Sequence, residues 1–168
     1  TSHRVMNMGL NGHFDTIAAD KDDVYRIDMY NKDDTRCMDN FPMYWQIPTI
    51  QSFQSVVSGS IFSFYDLLGI DRSVASRPDI SYEGLRVLTS CKYLLAYTDE
   101  EKLDVPGHTY LTTENEFDLY VNDNYVPMGF AYNYYLTDED IASCDKNKVD
   151  RLLLNGVYLS EEQIEKYK

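Results

Sequence analysis

Cys91-Lys92-Tyr93-Leu94-Leu95-Ala96-Tyr97 decides the fold class. A near-continuous apolar run of this length reads as a strand covered on both faces, at the centre of a sheet. Upstream, Val24-Tyr25-Arg26-Ile27-Asp28-Met29 alternates, with Tyr25, Ile27 and Met29 on one face and Arg26 and Asp28 on the other. That period of two predicts a half-buried strand. Between the two, Pro48-Thr49 opens a helical pattern in which Ile50, Phe53, Val57, Ile61, Phe64 and Leu68 share one apolar face. Ser58-Gly59-Ser60 breaks it into two helices, with Ser60 as the expected cap of the second. Gly69, directly after Leu67-Leu68, stands where a left-handed C′ residue belongs, and Ile70 can close the hydrophobic contact behind it. A short helix near residues 84–90 leads back to the central run. Strand, helices and strand in this order suit a right-handed crossover.

Downstream, Phe117, Leu119 and Val121 alternate with Asp118, Tyr120 and Asn122, and Asn122-Asp123-Asn124 is a turn signal. The tyrosine-rich stretch 129–136 is the expected return strand of a hairpin. Thr137 and Asp140 form a cap-like pair, and Val149, Leu152, Leu153 and Val157 a helix face that Asn155-Gly156 weakens. Ser160-Glu161-Glu162-Gln163 is a capping box opening another helix, which has only begun when the chain stops at Lys168. The expected fold is α+β: a mixed β-sheet with helices packed on it, a single domain over residues 1–168.

The bulk numbers agree with a globular domain. At 168 residues, with 43% hydrophobic and 26% charged side chains, the chain can bury about 70% of its unfolded surface without a metal or disulfide. The net charge of −13, from 28 acids against 15 bases, repels phosphate backbones and excludes nucleic acid as a partner. Cys37, Cys91 and Cys144 lie far apart with no CxxC pair, which excludes a zinc ribbon or thioredoxin-like motif. Cys91, within an apolar run, reads as a small core residue. The longest uncharged stretch, Asn40 to Tyr65, has 26 residues, but Pro42, Pro48, three glutamines and five serines make it a buried or half-buried segment rather than a membrane span. The chain begins Thr1-Ser2-His3, without an initiator methionine or signal peptide. With the abrupt end, this leads us to expect a fragment of a longer protein.

Motifs for chemistry are few. There is no GxSxG elbow, no HExxH, no GxGxxG and no Walker loop. His3, His13 and His108 are isolated, and His108 in Pro106-Gly107-His108 reads as a surface residue. The run Asp145 to Asp150 resembles the start of a calcium loop, but Val149 falls where an oxygen ligand is needed and the glycine is missing. No metal site is expected, and no catalytic residue is assigned. Tyr44-Trp45 is the one candidate ligand-binding pair. Exposed aromatics stack on sugar faces; a core anchor between two prolines is the alternative, and the burial habit of tryptophan favours it.

The stretch from Phe53 to Tyr97 carries a resemblance. Ser55-Val56-Val57-Ser58-Gly59-Ser60, Phe64-Tyr65-Asp66-Leu67-Leu68-Gly69-Ile70 and the run Tyr82 to Leu95 are similar to the extracytoplasmic region of the YfhO family of bacterial membrane proteins. Tyr25-Arg26-Ile27-Asp28 fits the family's first strand and Lys92-Tyr93 its later one. The run Asn122 to Phe130 resembles its asparagine-to-proline-glycine segment, and Val74 to Asp79 is a looser match. Order and spacing hold from about Val24 to Tyr158.

The resemblance implies a polytopic protein with a membrane core like that of lipid-linked-sugar glycosyltransferases, acting in glycosylation of lipoteichoic acid or other envelope polymers. The full-length protein would use a polyprenyl-phosphate sugar donor, with the activating carboxylates in loops beside membrane helices that this chain lacks. No cofactor is expected in the chain itself. Its expected partners are the remainder of its own membrane protein and an envelope glycopolymer, and its expected place is the extracytoplasmic face of the bacterial membrane. A saccharide-binding module without catalysis, suggested by Tyr44-Trp45 and the tyrosines of 132–135, is the alternative. A self-standing glycoside hydrolase, suggested only by the abundant acids, is the second.

Overall fold

A computed structural model of the chain describes residues 12–21, 24–30, 39–98 and 102–167. His3, Cys37 and most of the acid-rich segments 20–23 and 32–34 lie outside the described residues. The elements run α1 (Asp15–Ala19), β1 (Arg26–Tyr30), α2 (Phe41–Tyr44), β2 (Ser52–Phe53), α3 (Gly59–Leu67), β3 (Ala75–Ser76), α4 (Glu83–Leu88) and β4 (Cys91–Tyr97). Then follow β5 (His108–Glu114), β6 (Phe117–Asn122), β7 (Tyr135–Leu136), α5 (Asp138–Ser143), α6 (Val149–Leu152), β8 (Val157–Tyr158) and α7 (Glu161–Tyr167).

The main sheet has the order β1-β4-β6-β5, with β1 parallel to β4 and the other pairs antiparallel. The fold is therefore α+β with a mixed sheet, and β4 is an inner strand covered on both faces. Tyr93, Leu95 and Tyr97 pack with Ile27, Met29, Phe14, Phe41, Phe117 and Leu119. Leu94 and Ala96, of opposite parity, pack with Val105 and Tyr120. A third cluster, around Leu68, Leu85, Val149 and Leu153, joins α3, α4 and α6. Gly84 permits the approach of α4 to α6: a Cβ there would sit 2.6 Å from the backbone carbonyl of Asp150.

Two expectations fail for reasons of long-range pairing. The return strand of β6 is not 129–136 but the upstream β5. The β5–β6 hairpin closes through Asn115 and Glu116, whose φ values of 48° and 65° are those of a two-residue primed turn. No glycine advertises that turn. Past Asn122 the chain leaves the sheet; only Tyr135–Leu136 is extended, pairing parallel with β8.

The second failure is the helix expected to begin at Thr49. Helical spacing in 49–58 yields to β-type pairing: Ile27 N donates to Pro48 O (2.9 Å), Ile50 N donates to Ile27 O (3.1 Å), and β2 pairs with β3. The Asn40 side chain brackets Phe53, accepting from its N–H and donating to its carbonyl. Phe53 is consequently 52% exposed, whereas Leu68 is fully buried and Ile50, Val57 and Phe64 are half-buried. Ser58, not Ser60, is the N-cap residue of α3; its hydroxyl bonds that of Ser60 and no backbone N–H. Val157, expected on a helix face, lies in β8.

The helix ends are otherwise as read. Gly69 has φ +70°, Gly69 N–H donates to Asp66 O and Ile70 N–H to Tyr65 O, both at 2.9 Å. These two bonds are a Schellman motif. Thr137 and Asp140 form a reciprocal capping box on α5, as do Ser160 and Gln163 on α7.

Candidate functional site

Asp28 was expected on the open, polar face of its strand. It is instead 2% exposed, because α4 and the preceding loop cover that face. Arg86, 1% exposed, meets it with two donors on Asp28 Oδ2, at 2.9 Å from Nε and 2.6 Å from a terminal nitrogen. The guanidinium also donates to the carbonyls of Pro78, Asp79 and Tyr82, while Asp28 Oδ1 accepts from Met29 N–H. A buried ion pair is tolerable when its remaining lone pairs and protons are satisfied in this way. It ties the α4 crossover to the sheet.

The same pair of strands positions a second cation. Arg26 pairs with Cys91 and Ile27 with Tyr93, so Lys92 is an extra residue on β4. Such a bulge re-aims a side chain. The Lys92 ammonium lies 2.6 Å from Asp20 Oδ2 and within 5.2–5.8 Å of the ring centres of Tyr25, Tyr93 and Tyr125. Three rings around one ammonium hold it by cation–π attraction as well as by the carboxylate. Tyr93 hydroxyl donates to the same Asp20 oxygen at 2.7 Å. Burial pushes the Asp20 carboxyl upward, but the bonds from Lys92 and Tyr93 and the charge of Lys92 outweigh it, leaving its pKa below the ordinary value. Burial, with help from the Asp20 charge, pushes the Tyr25 hydroxyl up to about 12 and raises Tyr93 as well. Both are neutral phenols at physiological pH. A cleft of about 280 Å³ opens beside this group, lined by Ile17, Asp20, Val24, Tyr25, Gln46, Ile47 and Pro48. The arrangement is suited to holding and orienting, with its charges mutually neutralised.

Tyr44 and Trp45 part company. Trp45 is half-buried, its ring 4.9 Å from Phe14, 5.6 Å from Phe117 and 5.7 Å from Phe41, while Tyr44 is 64% exposed. Neither lines the cleft; the three residues after them do. Among the tyrosines of 132–135, Tyr132 donates to Leu153 O, and Tyr134 is 75% exposed. His13 bonds Asp15 at 3.0 Å. His108 is half-buried rather than a surface residue: its Nδ1 lies 3.1 Å from Pro106 O, its Nε2 is enclosed, and burial lowers its pKa. Among the described residues there is no group of three or more His, Cys, Asp or Glu placed to hold a metal ion. Cys91 is buried, and burial raises its thiol pKa well above the ordinary value.

Tyr25, Asp28, Arg86, Lys92, Tyr93 and Tyr125, which meet at the two cations, stand in segments that carry the resemblance; Asp20, the carboxylate on Lys92, lies outside them. The family model for the bacterial membrane protein YfhO matches residues 11–167, and the chain belongs to that family. No curated protein and no solved structure matches. No helix among the described residues is long and apolar enough to cross a membrane.

Proposed function

We propose that this chain is an extracytoplasmic accessory domain of a YfhO-type membrane glycosyltransferase that glycosylates a cell-envelope polymer of the lipoteichoic acid type. In this reading the membrane part of the protein carries the catalytic carboxylates and takes the polyprenyl-phosphate sugar. The domain described here shapes the external face on which the polymer is received. The observation that carries it is the convergence at Lys92: three tyrosines and a lysine from separated family segments, with Asp20 beside them, build one neutralised, aromatic-walled group beside a cleft.

The test is sugar transfer by the full-length protein in membrane vesicles, supplied with a labelled polyprenyl-phosphate hexose and envelope polymer. Lys92→Met and Asp20→Asn should lower transfer at least tenfold at unchanged protein level, chiefly through the KM for polymer. Transfer at the wild-type rate by both variants would overturn the reading. The 168-residue chain by itself should turn over neither the donor nor a generic glycoside. A saccharide-binding role without catalysis is the second reading, favoured by outward-facing aromatic side chains such as Tyr44 and Tyr134.

A further inference from the structure

The outward face of α3 is not absorbed by the site above. Phe62, Ser63 and Asp66 stand at helical offsets that bring them to one side of the helix. All three are exposed, Phe62 at 43%. Two clefts adjoin there and share Ser63 and Asp66 as their common wall. One, of about 380 Å³, adds Phe62, Asp71 and Arg72; the other, of about 400 Å³, adds Phe64, Leu67 and Tyr158. Each is within the range of about 300–1,000 Å³ in which small-molecule sites fall.

The walls specify the chemistry. Each cleft has an aromatic ring, Phe62 in one and Phe64 with Tyr158 in the other, and such apolar faces suit the C–H faces of a sugar ring. The ridge between them supplies a hydroxyl and a carboxylate, and Asp71 a second carboxylate; these accept from sugar hydroxyls. Arg72 is held in place by its bonds to Ser76 Oγ (2.9 Å) and Gln54 O (2.7 Å), with its guanidinium 5.2 Å from the Phe62 ring centre. Tyr158 is likewise anchored, donating to Asp138 at 2.5 Å. Arg72 and Tyr158 are therefore held before anything binds, which lowers their share of the ordering cost. Asp66 and Asp71 outnumber Arg72 in these walls, and on a chain of net charge −13 that balance disfavours a phosphate group.

We infer that this groove binds a neutral oligosaccharide that crosses α3 at Ser63 and Asp66, one ring lying on Phe62 and the next against Tyr158. The inference rests on the saccharide-binding reading of the domain and names where a neutral glycan would lie. The test is titration of the isotope-labelled 168-residue chain with cellotriose, chitotriose and glycerol phosphate, followed by amide chemical shifts. At least one neutral trisaccharide should move Phe62, Ser63, Asp66 and Tyr158 at millimolar concentration, and glycerol phosphate should not. Phe62→Ala and Asp66→Ala should each weaken binding at least tenfold, with the rest of the spectrum unchanged. Leu111→Ala, on β5 and outside both clefts, should bind as wild type.

Shifts centred on Tyr44 or Tyr134, binding of glycerol phosphate alone, no shift with either sugar, or undiminished affinity in Phe62→Ala would each overturn it. Loss of the groove with transfer still dependent on Lys92 would remove only this site. Loss of the Lys92 effect with the groove intact would remove the glycosyltransferase reading and leave a saccharide-binding domain.

Discussion

Arg86→Ala is the most damaging single substitution the structure foresees. Arg86 and Asp28 are 1% and 2% exposed, so removing the guanidinium strands a carboxylate in the interior. It also strips donors from the carbonyls of Pro78, Asp79 and Tyr82. Breaking a buried pair from one side costs about 3–5 kcal/mol. Domains have roughly 5–15 kcal/mol in all, so roughly a fifth or more of the total is at stake. At about 2–4 °C per kcal/mol for a chain of this size, the melting temperature should fall by about 6–20 °C. Urea denaturation followed by circular dichroism reads the loss directly. Asp28→Asn should also destabilise, and the double variant should cost less than the sum of the two, because each single change already removes the pair. Additive costs, or a melting temperature for Arg86→Ala within 3 °C of wild type, would refute the reasoning.

Gly69→Ala should cost about 1 kcal/mol and Gly69→Val more, since φ is +70° and β-branching tightens the left-handed clash; thermal melts should order wild type above Ala above Val. Gly84→Ala should cost at least as much as Gly69→Ala, because its new methyl meets the Asp150 backbone at 2.6 Å, which a flexible side chain cannot relieve. The Asp20 carboxyl has a lowered pKa in the fold, so its stabilisation is present above the unfolded value of 3.8 and is lost as pH falls below it; denaturation curves of wild type and Asp20→Asn should converge at acid pH. His108, whose pKa burial lowers from 6.5, should make stability fall as pH drops through 6.5 toward its folded value, and an NMR titration of its ring should show a midpoint below 6.5.

What the sequence disclosed was local. The Cys91 to Tyr97 run announced an inner strand because both of its faces are apolar. Gly69, Thr137 and Ser160 announced helix ends because a cap is written in neighbouring residues. Non-local pairing stayed hidden. Asp28 looked like a solvent-facing residue because its partner is Arg86, 58 positions away, and nothing near either residue names the other. The stretch 49–58 had helical spacing, but hydrogen bonds to Ile27 and to β3 outweighed it. The threonine-rich β5 was passed over because its turn, Asn115-Glu116, adopts positive φ without a glycine. The group around Lys92 was legible only in part: Tyr25, Lys92 and Tyr125 stood in the segments behind the resemblance, but the bulge that gathers them depends on register between strands. The outward face of α3, with Phe62, Ser63 and Asp66, drew no notice, because the apolar spacing of Ile61, Phe64 and Leu68 describes the opposite side of the helix.

The central claim is that this domain lies on the outer side of the membrane in a YfhO-family protein, and thiol labelling in intact cells tests it most directly. Val56 is 81% exposed, so Val56→Cys in the full-length protein, with Cys37 and Cys144 replaced by serine, offers a reactive thiol on the domain's surface. A membrane-impermeant maleimide should label it in intact cells as fully as in lysed ones. Labelling that appears only after lysis would place the domain in the cytoplasm and contradict the account.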